Sequence, residues 1–348
     1  MTLNSVGSAA SGEGEQRARS SGQVAVTYDP NKATDGVGSQ LLRIYGLYAL
    51  SRALDVKYVH TPLSRVDYQG FLPLLTGRTD PDFVARYNAF FRLPSDDFDL
   101  EHCERVPIHI LTRDTVDQYR TYAATTGRSV LLQAIHHYGY TDGHPEALLA
   151  LRAVSPYRDR DHRAASPLRV CIHMRRGDNT VPGRQDASQR LLPDAYYLRV
   201  CRAVLEALRP HGVPFVVRLH TEAVSLSYTL YPGTPGVFFQ LDEPATINPS
   251  GHTLRDFDAL PNLEKVINVD AREALDDFAT ADILILSLSS LGYLGGLLNP
   301  QGLVVYAPWW HPPLSDWLVA DSDGNVNPVE LATRVGDQVT RRIGSIRL

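Results

Sequence analysis

The sequence predicts an α/β fold made of two Rossmann-like halves with parallel sheets, and three observations predict it. Short apolar runs alternate with segments of helical periodicity, the rhythm of parallel strands joined by crossover helices. Several of those runs lead directly into loops rich in glycine, serine or arginine, and open α/β sheets bind their ligands at such strand ends. At 348 residues the chain is long for one domain and comfortable for two.

Composition narrows the function. A hydrophobic content of 43% supports full cores over most of the length. The net charge of -5 and a pI near 6.2 exclude a general nucleic-acid or membrane-surface binder, which shows a basic excess. Neither nucleic acid nor membrane insertion is expected, so any polyanion is met locally. Cys103, Cys171 and Cys201 are odd in number and lack metal-type spacing. Cys171, in an apolar strand, and Cys201, in a helical pattern, read as packed thiols, which fits a reducing, cytoplasmic compartment. Residues 1–22 are rich in Ser, Gly, Ala and Glu without the apolar core of a signal peptide, and read as a disordered leader. The most apolar stretch, Ile283 to Leu298, is interrupted by Ser287, Ser289, Ser290, Gly292, Gly295 and Gly296, unlike a membrane span.

Along the chain, Gln23 to Tyr28 reads as a strand. The loop Asp35-Gly36-Val37-Gly38-Ser39-Gln40 follows, then a helix from about Leu41 to Leu54 with Leu41, Ile44, Tyr45, Tyr48, Ala49 and Ala53 at helical spacing. Lys57 to His60 is a second strand, which completes one βαβ unit. From Thr61 to Leu151 the pattern is mixed: Ile108 to Thr112 reads as a strand, Asp114 to Thr125 and Pro145 to Ala153 as helices. Ser155 to Pro167, polar and bounded by prolines, reads as an interdomain linker. The rhythm then clears. Leu168 to Met174 is a strand, Pro193 to Leu208 a helix opened by proline and aspartate, and Pro214 to Thr221 a strand. Val266 to Val269 (strand), Ala271 to Ala279 (helix), Asp282 to Leu286 (strand), Leu291 to Leu298 (helix) and Leu303 to Tyr306 (strand) complete a second sheet. Pro328 to Ile343 is an amphipathic helix.

Four strand-end loops carry the candidate chemistry. In Gly36-Val-Gly38-Ser39-Gln40 the third glycine of a dinucleotide fingerprint is missing, as is the Gly-Lys-Ser/Thr of a P-loop. A tight βα turn accounts for it equally well. His173-Met-Arg175-Arg176-Gly177-Asp178 ends a strand in two guanidinium groups, whose planar donors suit phosphate oxygens. Its Arg-Gly-Asp tripeptide lies at a strand end and not in a loop suited to adhesion. His220-Thr221-Glu222 offers a base, an acid or a hydroxyl ligand, or a helix cap. Ser287-Leu-Ser289-Ser290 places hydroxyls and free backbone N–H groups at a helix start, an anion site by geometry and dipole, or a serine cap. No zinc spacing occurs, since His136 and His137 are adjacent with no second ligand near in sequence. Asp159-Arg-Asp161 falls in the linker and reads as solvated charge, so no metal site is expected and diphosphate neutralisation falls to arginine and helix termini.

These loops, in this order, resemble the superfamily of α1,2-, α1,6- and protein O-fucosyltransferases. Asn31-Lys32 with Gly36-Val-Gly38-Ser39-Gln40-Leu looks like its N-terminal glycine loop. His173-Met-Arg175-Arg176-Gly177-Asp178 is similar to its His-x-Arg-Arg-x-Asp motif. Asp282 to Ser290 looks like its C-terminal strand and Ser-Ser turn. The resemblance spans about residues 24–60 and 168–307. It implies a GT-B architecture: an acceptor-side Rossmann-like domain over 23–155, a linker over 156–167, a sugar-nucleotide-binding domain over 168–327 and a C-terminal helix over 328–348. It implies inverting, metal-independent transfer of fucose from GDP-fucose, a substrate and not a cofactor, to a hydroxyl of a glycan, peptide or small-molecule acceptor. By position Arg176 would contact the β-phosphate, with Arg175 supporting the loop or the donor. Ser289 and Ser290, beside Ser287, would hold phosphate oxygens, and Gly36, Gly38, Ser39 and Gln40 would face the donor. His173 and Asp178 would line the pocket. Arg176, Asp178 and Glu222 are the catalytic candidates, and between the two carboxylates Asp178, beside two guanidinium groups, is the poorer base. Ser39 stands where the family often has Asn, and the turn after Ser290 lacks the aromatics of the α1,2 group; linkage and acceptor stay open. A non-catalytic binder on the same fold, a transferase for another sugar nucleotide, and an unrelated Rossmann-like dinucleotide enzyme are the competing readings.

Overall fold

The computed structural model describes residues 22–29, 36–136, 145–159, 167–184, 188–234, 237, 239–249 and 253–346. The expected residues Asn31, Lys32, Asp35, His137 and Asp161 lie outside them. The first half runs β1 (Val24–Tyr28), α1 (Val37–Ala53), β2 (Lys57–Tyr58), α2 (Phe71–Thr76), α3 (Phe83–Phe90), β3 (Cys103–Ile110), α4 (Arg113–Thr126), β4 (Ser129–His136) and α5 (Pro145–Ala153). Its strands form a parallel sheet in the order β2-β1-β4-β3. β4, which the sequence reading did not assign, is the inner strand beside β1. β3 begins five residues before the expected Ile108, and its alternating exposure fits an edge strand.

The second half runs β5 (Leu168–His173), α6 (Asp194–Leu208), β6 (Phe215–Thr221), β7 (Tyr228–Leu230), β8 (Ala245–Ile247), β9 (Leu263–Ile267), α7 (Ala271–Thr280), β10 (Ile283–Ile285), α8 (Ser290–Leu297), β11 (Leu303–Tyr306), β12 (Leu318–Val319) and α9 (Pro328–Ile346). Six of these strands form a parallel sheet in the order β12-β11-β10-β5-β6-β9, and β7 pairs with β8 in a separate antiparallel hairpin. The fold is α/β with two parallel sheets. In the second sheet the order of strand addition reverses between β5 and β10, so a crevice opens at their carboxyl ends, the place where such sheets bind ligands. The register there is fixed: Ile172 lies opposite Ile285, and His173 opposite His220.

Four apolar clusters hold these layers among the described residues, the smallest being Ala25, Val59 and Leu131 on the first sheet. The first joins the halves: Leu41, Ile44 and Tyr45 of α1 belong to the same core as Phe278 of α7 and Leu294 and Leu297 of α8. The second lies on the other face of the second sheet, where Val200 and Val204 of α6 meet Leu331, Val335 and Val339 of α9. The third is small and bridging. Tyr68, Phe71 and Leu74 of the first half pack with Leu230, Ala245 and Ile247 of the hairpin. Tyr157, at the start of the expected linker, is buried at 3% exposure beside the Phe90 and Phe91 rings. Cys171 and Cys201 are buried free thiols, both pushed up to about 12 by burial. Among the described residues no helix is long and apolar enough to cross a membrane.

The α7–α8 contact is tight enough to test. A Cβ on Gly295 would lie 2.5 Å from Phe278 Cβ, close to the backbone, so a methyl there cannot be accommodated by a rotamer change alone. Gly295→Ala is expected to lower stability by ~1–3 kcal/mol, the cost of overpacking. Guanidinium denaturation checks it, and an unchanged midpoint would mean the two helices are not in that contact.

Candidate functional site

A cleft of about 350 Å³ runs along the carboxyl edge of the second sheet, between it and the loops of the first half. Trp309 follows β11, Ser289 and Ser290 follow β10, the residues from His173 to Asp178 end and follow β5, and His220 to Glu222 end and follow β6. Gly36, Val37, Gly38 and Ser39 of α1 and its cap face them, together with Tyr68, Gln69 and Gly70. Of the residues predicted for the site, all but Gln40 and Ser287 line this cleft. Among the described residues, four arginines and two carboxylates, Asp178 and Glu222, line it as well, in a chain of net negative charge.

Two helices begin in the cleft. The first turns of α1 and α8 touch because Gly38 has no side chain: a Cβ there would lie 2.8 Å from Leu291 Cβ. Ser39 Oγ and Ser290 Oγ are consequently 3.3 Å apart. The N-cap residues, Gly36 and Ser289, make no side-chain capping bond, and neither first turn holds an acidic residue. Serine capping therefore does not explain Ser289. What the two helices present together is a pair of positive dipole ends, a setting for an anion. Gln40 is buried and donates from Nε2 to the Arg65 carbonyl at 2.8 Å, which ties α1 to the segment that carries Tyr68.

His173 lies at the floor, 7% exposed, with Nδ1 3.2 Å from Ser287 Oγ. Burial lowers its pKa to about 3, with Arg175 and His220 adding to the effect, so the imidazole is neutral. The helix α8 presses on it, for a Cβ on Gly292 would lie 2.3 Å from its Nδ1. His220 Nε2 is 2.9 Å from Asp277 Oδ2, and that carboxylate also pairs with Arg218 at 2.6 Å and Arg169 at 3.2 Å. Thr221 Oγ1 and His220 Nδ1 are buried and make no hydrogen bond among the described residues.

The adjacent arginines diverge. Arg175 pairs through Nη2 with Asp178, has Nη1 3.5 Å from Glu222 Oε2, and lies 5.5 Å over the Tyr68 ring. Arg176 donates to the Arg175 carbonyl at 2.8 Å, pairs with Asp194 at the start of α6, and lies 5.6 Å over Tyr197. Asp178 is 1% exposed and bridges Arg175 and Arg184, an acceptor saturated by two cations. Asp194 entered the sequence reading only as a helix opener, and Arg184 and Tyr68 not at all. An acidic first-turn residue downstream of two arginines was the available signal for Asp194; Tyr68 offered none.

Glu222 is different. Tyr68 Oη is 2.8 Å from each of its carboxylate oxygens, and the Phe71 N–H donates to Oε1 at 3.0 Å. Burial raises its pKa above the ordinary value; Arg175, Tyr68 and the Phe71 N–H pull it back, while Asp178 pushes it further up. The turn between Arg176 and Asp178 makes this arrangement possible. Gly177 has φ +60°, and a Cβ on it would lie 2.2 Å from Glu222 Oε2 and 2.7 Å from Tyr68 Oη.

No protein-family model and no curated protein matches the sequence. Solved structures similar to the chain include Escherichia coli heptosyltransferase WaaC with ADP, at 12% identity and TM-score 0.37 over 92% of this chain and 99% of that one. The glycosyltransferase AviGT4, involved in avilamycin A biosynthesis, aligns at 13% identity and TM-score 0.34 over 94% and 92%. POFUT1 in complex with GDP aligns at 10% identity and TM-score 0.32 over 81% and 97%. Each is a loose likeness of overall layout, and no residue or substrate carries over from it.

The Gly177 turn and the Glu222 carboxyl each give an expectation. Gly177→Ala combines a positive φ with a blocked Cβ and is expected to cost at least ~1–3 kcal/mol, read by thermal denaturation; an unchanged transition would displace Glu222 from this contact. A carboxyl whose folded pKa is raised contributes stability that is full below its unfolded pKa and is lost as pH rises through the folded value. Glu222→Gln should therefore gain on the wild type between about pH 4 and about pH 8. Denaturant midpoints at the two pH values check the sign, and a relative loss would mean that the charged form is the favoured one.

Proposed function

We propose that the protein is an inverting, metal-independent glycosyltransferase that moves fucose from GDP-fucose to a hydroxyl of a glycan or other acceptor. The observation that carries the reading is the convergence, at the point where strand order reverses, of two helix N-termini, without a side-chain capping bond among the described residues, with an arginine-rich loop. The diphosphate is the ligand that such a set of fixed positive ends fits. The resemblance of the His173–Asp178 and Asp282–Ser290 segments to fucosyltransferase motifs supports the donor sugar and base. In this reading Gly36, Gly38, Ser39, Ser289 and Ser290 approach the phosphates through backbone and hydroxyl groups, while Arg175 and Arg176 neutralise them. His173 is a neutral wall of the pocket fixed by Ser287, and Gln40 acts at one remove through the Arg65 carbonyl. The protein's place is the cytoplasm, a reading that the buried free thiols fit.

The reaction is a single displacement. The acceptor oxygen bonds to the anomeric carbon as the bond from that carbon to the diphosphate oxygen breaks, and GDP leaves with the bonding pair. The acceptor proton passes to Glu222, whose raised pKa suits a proton acceptor better than Asp178, already bridged by two guanidinium groups. Charge on the leaving diphosphate grows as the bond breaks, so cations held in place beforehand stabilise the transition state more than the ground state. Fixed arginines and helix ends fill the part that a divalent cation has in other transferases.

Titration with GDP, GDP-fucose, UDP-sugars and NAD, followed by an assay of GDP release and product anomer, tests the assignment. GDP and GDP-fucose are expected to bind and NAD not to. Arg176→Ala is expected to lose about 2–3 kcal/mol of transition-state stabilisation and Arg176→Lys not to restore it; Arg175→Ala should cost at least as much. Near wild-type GDP release by both folded alanine variants would remove the donor from this cleft. Activity should also persist in excess chelator, and a loss reversed only by manganese or magnesium would point to another transferase chemistry.

A further inference from the structure

We propose that Tyr68 is a positioning residue for the transfer: its hydroxyl clamps the Glu222 carboxylate, so that the proton acceptor is assembled from both halves of the molecule. The inference rests on the reading of Glu222 given above and adds to it a residue of the first half. Glu222 and Tyr68 are 154 positions apart in sequence, yet the phenol oxygen sits 2.8 Å from both carboxylate oxygens. One phenol proton shared between the two oxygens holds the end of the carboxylate in place, and an unsymmetrical second donor then sets its plane. The Phe71 N–H is that second donor, at Oε1.

The clamp is itself held. Tyr68 is 9% exposed and belongs with Phe71 and Leu74 to the small apolar cluster that includes the β7–β8 hairpin. Its ring lies under the Arg175 guanidinium, and Gln40 anchors the chain three residues before it. On the opposite side, the missing side chain of Gly177 leaves the room in which Tyr68 Oη and Glu222 Oε2 meet. A phenol that only filled space would not call for a glycine with φ +60° against its hydroxyl.

The groups that face Glu222 define what the clamp does. From the loop after β5 come the Arg175 cation and, behind it, the Asp178 anion; from the first half come the Tyr68 hydroxyl and the Phe71 N–H. Asp178 is in turn neutralised by Arg184. A hydroxyl that donates to a carboxylate favours its charged form, so Tyr68 keeps a buried carboxyl deprotonated and ready to accept a proton. Once Glu222 takes the acceptor proton, Arg175 loses one of its two anionic partners, and its charge is freed for the departing diphosphate.

The test reads Glu222 directly and needs no acceptor. Protein labelled with ¹³C at the glutamate carboxyls is titrated by NMR, with the Glu222 signal assigned by its loss in Glu222→Gln. Tyr68→Phe keeps the ring under Arg175 and removes only the hydroxyl; near-ultraviolet circular dichroism establishes that it is folded. The Glu222 midpoint is expected to rise by roughly one pH unit, the scale of one hydrogen bond to a charged group. The acid limb of GDP release from GDP-fucose should move up with it, while Glu222→Gln loses turnover and the limb together. An unmoved midpoint and limb in folded Tyr68→Phe, with Glu222→Gln inactive, would overturn the inference and leave the base in place. Full GDP release with an intact limb in Glu222→Gln would overturn the base itself, so the two failures are distinct.

Discussion

The contact on which the rest of the molecule depends is the approach of α1 to α8 at Gly38 and Leu291. Every other candidate group sits on a strand end or loop whose position relative to the other half follows from it. Two polypeptide segments that each present a positive helix end repel one another as they close. Here the cost is offset by a continuous apolar core, in which Leu41, Ile44 and Tyr45 meet Phe278, Leu294 and Leu297. The core reaches the cleft at Phe83, Ala274 and Phe278, so apolar burial holds the two dipole ends together at the cleft wall. Glycine at position 38 sets the separation, and Ser39 and Ser290 are neighbours as a result.

Charge in the arginine loop is organised by the same economy of space. Asp178 holds Arg175 and Arg184 in place, Asp194 holds Arg176, and Glu222 leans on Arg175 from the next strand. Removing one member of such a set leaves a buried charge without its partner, which costs more than the pair itself contributes. The two acids named at the outset as competitors for one role consequently have opposite surroundings. One is enclosed by cations, the other is bound by a phenol and a backbone N–H against a desolvated wall.

Much of this was legible in the residues. Strands β5, β10 and β11 announced themselves because they are buried along their whole length, and an apolar stretch such as Val170–Ile172 or Ile283–Leu286 that leads into Arg-Arg-Gly-Asp or Ser-Leu-Ser-Ser has few other readings. The edge strand β9 was placed three residues late, since the exposed pair Glu264 and Lys265 interrupts the apolar signal after Leu263. The region from Thr61 to Leu151 resisted because α2 and α3 are only 6 and 8 residues long and gain their stability from tertiary contact, not periodicity. The main phosphate contact was assigned to Arg176 and a supporting role to Arg175. Sequence does not say which way each of two adjacent side chains turns at a strand end; both line the cleft, Arg176 paired with Asp194 and Arg175 with Asp178. Tyr68 was invisible for a deeper reason: a lone tyrosine in a polar loop acquires a role only through a partner 154 positions away.

The halves are joined on two flanks of the cleft, by the large shared core beside α1 and α8 and by the small cluster of Tyr68, Phe71 and Leu74 with the hairpin. A hinge that opened the cleft widely would have to expose one of these to water, and the clamp on Glu222 would part with the second. The two clusters thereby limit how far the cleft can open. Under the proposed function, the cleft between the loop after β5 and the start of α1 would then admit partners by cross-section. Under the proposed transfer, a long or branched acceptor would reach Glu222 by a free end, so its end group more than its length would decide whether it is used.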